Sequence, residues 1–294
     1  MDNGLIIEDG FNNNYEMQTL KYLLNTKFLE TIKSFDIILK YNKSKSRKVK
    51  LKFNNKIYYA DFPTLKSILY AKIFGYNIES NEIIVNFLKY KIGIPINKIA
   101  GLDPLWEYIK MLINCKKHNN NCPYPTKVKG YDIIDIGGYI GDSALFFYNF
   151  GANHVKVYEP VYYDLAAKNL ERNGLPIDVE AKSVGYDKEM CVSEDLNATG
   201  LRKGNLCFQL ITPEEIIQDN YDLVKMDCEG REISLVNTPC SYLNRVNSYV
   251  MEVHFSYDNV TKIIDKFKLC GFNRFRVVRI TPNGFLHYLY INKK

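Results

Sequence analysis

Tryptophan and histidine are scarce in this 294-residue chain, at one and four residues. No apolar run approaches the roughly 20 residues that a membrane-spanning helix requires. The opening MDNGLIIEDG is acidic where a secretory leader would be basic, so no leader is expected and a cytoplasmic location is. A strong excess of one charge is missing too. With 39 Lys and Arg against 33 Asp and Glu, the formal charge of +6 permits an anionic partner but falls short of the excess typical of nucleic-acid binders. The seven cysteines, at 115, 122, 191, 207, 228, 240 and 270, are odd in number and scattered, which favours reduced thiols over a disulfide framework. Cys115, His118 and Cys122 suggest a metal clip, but no fourth ligand stands at finger-like spacing, and a solvated loop is the expectation.

What the chain does have is apolar residues, 46% of the total with 14% aromatic, enough for a substantial core. KKHNNNCPYPTKVKG, at 116–130, concentrates Asn, Pro, Lys and Gly between two periodic regions and marks a boundary. Residues 1–125 are expected to be mainly helical. Leu20, Leu24, Phe28, Ile32 and Phe35 recur at helical spacing, as do Ile83, Ile84, Phe87 and Leu88, and Leu105, Ile109, Leu112 and Ile113, the last set opened by Asp103-Pro104. KVKLKFNNKIYYADF, 48–62, alternates instead and reads as a β-hairpin with a basic face. With Lys43, Lys45 and Arg47 that face suits phosphates, although exposed strand lysines are also the ordinary guard against edge-to-edge aggregation.

From 126 to 294, short apolar runs alternate with amphipathic stretches: YDIIDI, DSALFFYNFG, HVKVYE, the run to LERNGL, YDLVKMD, REISLVN, SYVMEVHF and NVTKIIDKFKLCGF. This order implies an α/β fold with a mostly parallel sheet covered by helices on both faces. FNRFRVVRI and FLHYLYINKK are joined by TPNG, too short for a parallel crossover, so they should pair as a C-terminal antiparallel hairpin.

The first strand leads into Gly137, Gly138 and Gly141, spaced G-G-x-x-G. That is neither the G-x-G-x-x-G of dinucleotide folds nor a phosphate loop, so a pyrophosphate ligand is disfavoured. The second strand ends in Tyr158-Glu159-Pro160, with Glu159 24 residues after Asp135. An acid near that offset meets a ribose diol in doubly wound folds, because two adjacent hydroxyls can both donate to one carboxylate. Asp135 as a helix cap and Glu159 as a solvated strand end are the plainer alternatives, but their occurrence on consecutive strands points to a nucleoside.

IIDIGGYIGDSALFF, VKVYEPVYYDLAAKNLERNGL, VKMDCEGREISLV and YVMEVHF together resemble the successive motifs of the FkbM-type methyltransferases over about residues 128–292. The resemblance implies a Rossmann-like seven-stranded class I methyltransferase sheet and S-adenosylmethionine-dependent O-methylation. It also implies that Asp135, Gly137, Gly138, Tyr139, Gly141, Glu159, Pro160, Ser183 and Asp227 line the cofactor. Gly138 stands where the family has alanine. Tyr139 replaces an asparagine, a departure at one hydrogen bond to the cofactor, and the stretch around Ser183, expected at the adenine, matches loosely.

Methyl transfer needs donor and acceptor aligned, and a hydroxyl acceptor needs its proton removed. DCEG closes the fourth strand and EVHF the fifth, so alternation sends Asp227 and Glu229 one way and Glu252 and His254 one way. His254, with an ordinary pKa of about 6.5, is the natural base; Asp227 or Glu252 would orient it or act instead. In a further alternative, Asp227, Glu229, Glu252 and His254 share a divalent metal. The expected acceptor is a hydroxyl of a small molecule, sugar or lipid-linked glycan. The alternatives are an RNA ribose methyltransferase using the basic front region and a binding protein with a degenerate cofactor pocket. The chain lacks an N-P-P-Y-type motif, which disfavours methylation of a base amino group.

Overall fold

A computed structural model describes residues 5–9, 49–53, 56–60, 76–79, 82–95, 122–192, 204–280 and 285–293. The chain forms two compact units. One comprises Met1–Asn13, Tyr124–Glu194 and Thr199–Lys294; the other comprises Asn14–Pro123 with Asp195–Ala198.

The larger unit begins with β1 (Leu5–Asp9), so residues assigned by sequence to the front region supply a strand here. In the smaller unit, β2 (Val49–Phe53) and β3 (Lys56–Ala60) pair antiparallel across Asn54-Asn55, with Phe53 opposite Lys56. Next, β4 (Tyr76–Glu79), β5 (Glu82–Phe87) and β6 (Tyr90–Pro95) form an antiparallel meander. This corrects the helical expectation at Ile83, Ile84, Phe87 and Leu88. The apolar run is short and β-branched, and a run of that length cannot separate helix from strand by periodicity. Its β-branched residues fit a pleated surface, and Ile84, Val85, Ile92 and Ile94 are buried there. The helical patterns at 20–35 and 105–113, and the lysines at 43–48, lie outside the described residues.

The rest of the larger unit is α/β. Its strands are β7 (Asp132–Ile136), β8 (His154–Tyr158), β9 (Val179–Glu180), β10 (Lys182–Val184), β11 (Glu189–Val192), β12 (Leu206–Ile211), β13 (Tyr221–Met226), β14 (Val246–His254), β15 (Arg274–Arg279) and β16 (Leu286–Asn292). Helices α1 (Asp142–Asn149), α2 (Tyr163–Arg172), α3 (Pro213–Ile216), α4 (Cys240–Leu243) and α5 (Tyr257–Leu269) connect them, together with a 3₁₀ turn at Arg231–Val236. The large sheet runs β1-β15-β16-β14-β13-β7-β8-β9, with β16 antiparallel to both neighbours and every other pair parallel. Without β1, this is the seven-stranded order of Rossmann-like methyltransferases, as expected. Ile133, Ile134, Val155, Val157 and Val224 are fully buried, as central strands covered on both faces should be. The chain reverses direction in the sheet between β7 and β13, and in such folds the crevice beyond the strand ends at that point receives ligands. β10, β12 and β11 form a separate three-stranded sheet.

The cysteines depart from the reduced state expected of them. Antiparallel register sets Cys191 on β11 opposite Cys207 on β12, Cα atoms 4.0 Å apart, and the two are disulfide-bonded. Cys240, opening α4, bonds Cys270 at the end of α5. Cys122 is also disulfide-bonded, which removes it as a thiolate for a zinc clip. Tertiary register, invisible in the spacing, is what brings these sulfurs together. Among the described residues only Cys228 is a free thiol. No helix among them is long and apolar enough to cross a membrane.

Candidate active site

The glycine turn is clamped between the ends of β8 and β13. Gly137 donates its N–H to Tyr158 O (2.8 Å), and Asp227 N–H to Ile136 O (2.9 Å). Gly137 has φ +77°, and a Cβ there would lie 1.7 Å from the Asp227 carbonyl oxygen, so both its conformation and its space require glycine. At Gly138 a Cβ would meet Val157 Cγ1 at 2.2 Å. Gly138 is therefore matched to a valine on β8. Gly141 precedes α1, and Asn169 of α2, fully buried, donates to Ile140 O at 2.9 Å.

Asp135 is 0% exposed. Ser143 Oγ donates to its Oδ2 (2.5 Å), and its Oδ1 pairs with Lys225 Nζ at 3.0 Å. Lys225, 2% exposed on β13, also donates to Gly137 O at 2.6 Å. Burial works against the lysine's charge, but Asp135 and then Asp227 hold it above its ordinary pKa. This buried pair, which sequence reasoning did not foresee, braces the turn from beneath. Tyr124 stacks near it, its ring centre 5.8 Å from Nζ, and burial together with Asp227, Asp142, Glu252 and Asp135 keeps the phenol protonated.

Glu159 is buried at the end of β8. Its Oε1 accepts the N–H groups of Val161 (2.8 Å) and Tyr162 (3.0 Å), and its Oε2 that of Tyr139 (2.9 Å). Burial raises its pKa against these three bonds. Tyr139 takes φ +48°, and its ring meets Tyr162 edge-on at 5.3 Å. Pro160 leads into the turn that carries these amides. Ser183 lies buried on β10 in the small sheet, apart from the strands that carry the turn.

The ends of β13 and β14 meet in a ring of carboxylates around one imidazole. His254 is 5% exposed, and its Nε2 stands 3.6 Å from Glu229 Oε2, 3.8 Å from Glu252 Oε1 and 3.9 Å from Asp227 Oδ1. On the other side its Nδ1 faces Glu232 Oε1 at 3.4 Å. Glu232, 1% exposed, accepts the Cys228 N–H at 2.9 Å, which fixes it. Glu229 has φ +55°, and Gly230 has φ +98° with the Phe255 ring against it, where a Cβ would lie 1.9 Å away. This two-residue left-handed kink turns Glu229 toward the histidine.

Burial disfavours a charge on His254, but Glu232 foremost, with Asp227 and Glu252, lifts the imidazole from its ordinary 6.5 to about 10. The histidine thus keeps its proton through the neutral range, and the expectation of a base titrating near 6.5 does not describe it. Burial raises Glu229 to about 7, against the pull of His254. Asp227, Glu229, Glu252 and His254, grouped from strand alternation, do come together. Glu232 was missed, and its one sequence signal is an acid four residues after Cys228, just before the mainly apolar ISLV.

The arrangement places a carboxylate-held glycine turn beside an acidic cluster, on the strand order that defines Rossmann-like methyltransferases. No family model matches the chain, and no curated protein does. Solved structures similar to it include a ribosomal protein L11 methylase from Lactobacillus delbrueckii subsp. bulgaricus: 15% identity, 57% of this chain, 72% of that one, TM-score 0.36. Another is the M. jannaschii tRNA m1G37 methyltransferase, at 14% identity, 90% and 67% coverage and TM-score 0.45. A third is the Pyrococcus abyssi tRNA (uracil-54, C5)-methyltransferase in complex with S-adenosyl-L-homocysteine, at 15% identity, 73% and 44% coverage and TM-score 0.39. The strand order, rather than these likenesses, defines the fold.

Proposed function

We propose that the chain is an S-adenosylmethionine-dependent O-methyltransferase of the FkbM type, acting on a hydroxyl of a small molecule, sugar or lipid-linked glycan. The observation that carries this reading is the convergence of Glu159, the glycine turn and the Asp227–Glu252–His254 cluster at the switch point of a methyltransferase-order sheet.

The residues fit the cofactor. A carboxylate has about four acceptor sites, and the three amide bonds to Glu159 leave capacity for a ribose hydroxyl. Acidic side chains beside the turn suit a sulfonium cation. When bound, S-adenosylmethionine supplies an electrophilic methyl group. Glu159 would then hold the ribose, the Asp135–Lys225 pair would keep the turn in shape, and Asp227 and Glu252 would orient the acceptor and draw off its proton.

Calorimetry with S-adenosylmethionine tests this. Losing a charged hydrogen-bond partner costs about 1.5–3 kcal/mol, so Glu159→Ala should weaken binding about 10- to 100-fold. Glu252→Gln should retain binding and slow transfer by about 100-fold or more. The reverse pattern overturns the assignment of roles, and absence of binding to the wild-type chain overturns the enzyme. Acceptors are screened as hydroxyl compounds, with RNA in parallel.

A further inference from the structure

We propose that Asp227, Glu252 and His254 form a binding site for one divalent cation of the Mg²⁺/Mn²⁺ class, with Glu229 as a further ligand. The site itself does not depend on methyl transfer; only the role given to the ion below rests on that reading.

One ligand atom from each of Asp227, Glu252 and His254 lies within 4.8 Å of the others. Donor atoms about 2.1 Å from a shared ion stand about 3 Å apart at right angles and about 3.6 Å apart at wider angles. At the right angles of an octahedral ion, the His254 Nε2 separations of 3.8 and 3.9 Å must each close by about 0.8–0.9 Å and the widest edge, within 4.8 Å, by up to about 1.8 Å, movements that side-chain rotation about the strand ends supplies.

Acidic side chains alone would not make a site; the histidine does. Its ring is 95% buried by the 5% exposure above, and Nε2 is aimed between three carboxylates, each beyond hydrogen-bond length. Glu229 Oε2 is buried there with no hydrogen-bond partner. An imidazole so placed has one neighbour on its far side, Glu232 at Nδ1, itself held by the Cys228 amide. A carboxylate on the far nitrogen is how ligating histidines are oriented and made more basic, and on binding the cation displaces the Nε2 proton to solvent.

Four carboxylates, Asp227, Glu229, Glu232 and Glu252, surround this one ring. Among cations, hard ions match the carboxylates, and Mn²⁺ also accepts imidazole. Four protein ligands leave positions of an octahedral ion open, and a hydroxyl bound there would be acidified next to the glycine turn.

The test is Mn²⁺ binding to the full chain without S-adenosylmethionine, followed by electron paramagnetic resonance and calorimetry. One ion should bind saturably, in competition with Mg²⁺. Asp227→Asn and Glu252→Gln should each weaken binding at least 10-fold with unchanged circular dichroism, while Asp258→Asn on the exposed face of α5 should not. If a site variant fails to fold, the wild-type chain still decides: bound Mn²⁺ should broaden the His254 ring resonances and spare those of His154. No saturable binding, Zn²⁺ binding alone, equal affinity in the site variants, or broadening away from His254 each overturns the site. Loss of Mn²⁺ binding with intact S-adenosylmethionine binding sinks the ion site only, and the converse sinks only the methyltransferase reading.

Discussion

At the scale of single residues, the strongest constraints are steric and lie under the glycine turn. Gly138 has room for hydrogen alone because Val157 Cγ1 occupies the place of its Cβ. Gly138→Ala should therefore destabilise the protein by about 1–3 kcal/mol through overpacking. In Gly138→Ala/Val157→Ala the clash is gone, so the double variant should lose less than the sum of the single losses. Urea unfolding of the four proteins measures this, and strict additivity would refute the coupling.

At the scale of elements, β7 and β13 are joined by more than backbone. Lys225 and Asp135 form an ion pair in which both partners are essentially out of water, with Gly137 O and Ser143 Oγ completing their hydrogen bonds. Removing one partner of such a pair strands the other charge. Lys225→Met should cost about 3–5 kcal/mol in thermal or chemical unfolding, whereas the paired change Asp135→Asn/Lys225→Met should recover part of that loss. The kink at Glu229-Gly230 ties β13 to β14 in a comparable way, because the Phe255 ring fills the space above Gly230. Several of the elements could be read in the sequence: the four strand–helix pairs from DIIDI to KIIDKFKL, with REISLV a 3₁₀ turn, and the last hairpin fall where the apolar periodicity put them. β1, β4, β6 and the small β10-β12-β11 sheet were not read, and β5 was too short and too rich in isoleucine and valine for its period to distinguish strand from helix.

At the scale of the whole molecule, covalent links matter alongside burial. Cys191–Cys207 closes a span of 16 residues and Cys240–Cys270 one of 30. Chain-entropy reasoning assigns loops of this size about 3 kcal/mol each. Reduction should lower the Tm by several degrees per bridge, since about 1 kcal/mol shifts a domain of this size by 2–4 °C. Cys240→Ala/Cys270→Ala should show the same fall without reductant. An unchanged Tm under reduction would mean that neither bridge contributes. A saturating ligand acts in the opposite direction: S-adenosylmethionine at 100 times its Kd should add about 2.7 kcal/mol, visible as a rise in Tm.

The sequence by itself determined the alternation of strands and helices, the glycine turn, the acid at the end of the second strand and the grouping of Asp227, Glu229, Glu252 and His254. Each depends on local periodicity or on neighbours along one strand, which spacing records directly. Tertiary structure alone decided what those residues touch. Lys225 beneath Asp135, Glu232 behind His254, Val157 against Gly138 and the paired cysteines join positions 16 to 90 residues apart, and β1 joined a sheet whose other strands begin more than a hundred residues later. The proton affinity of His254 followed the same course, because Glu232 foremost, with Asp227 and Glu252, all brought around it by the fold, outweighs its burial.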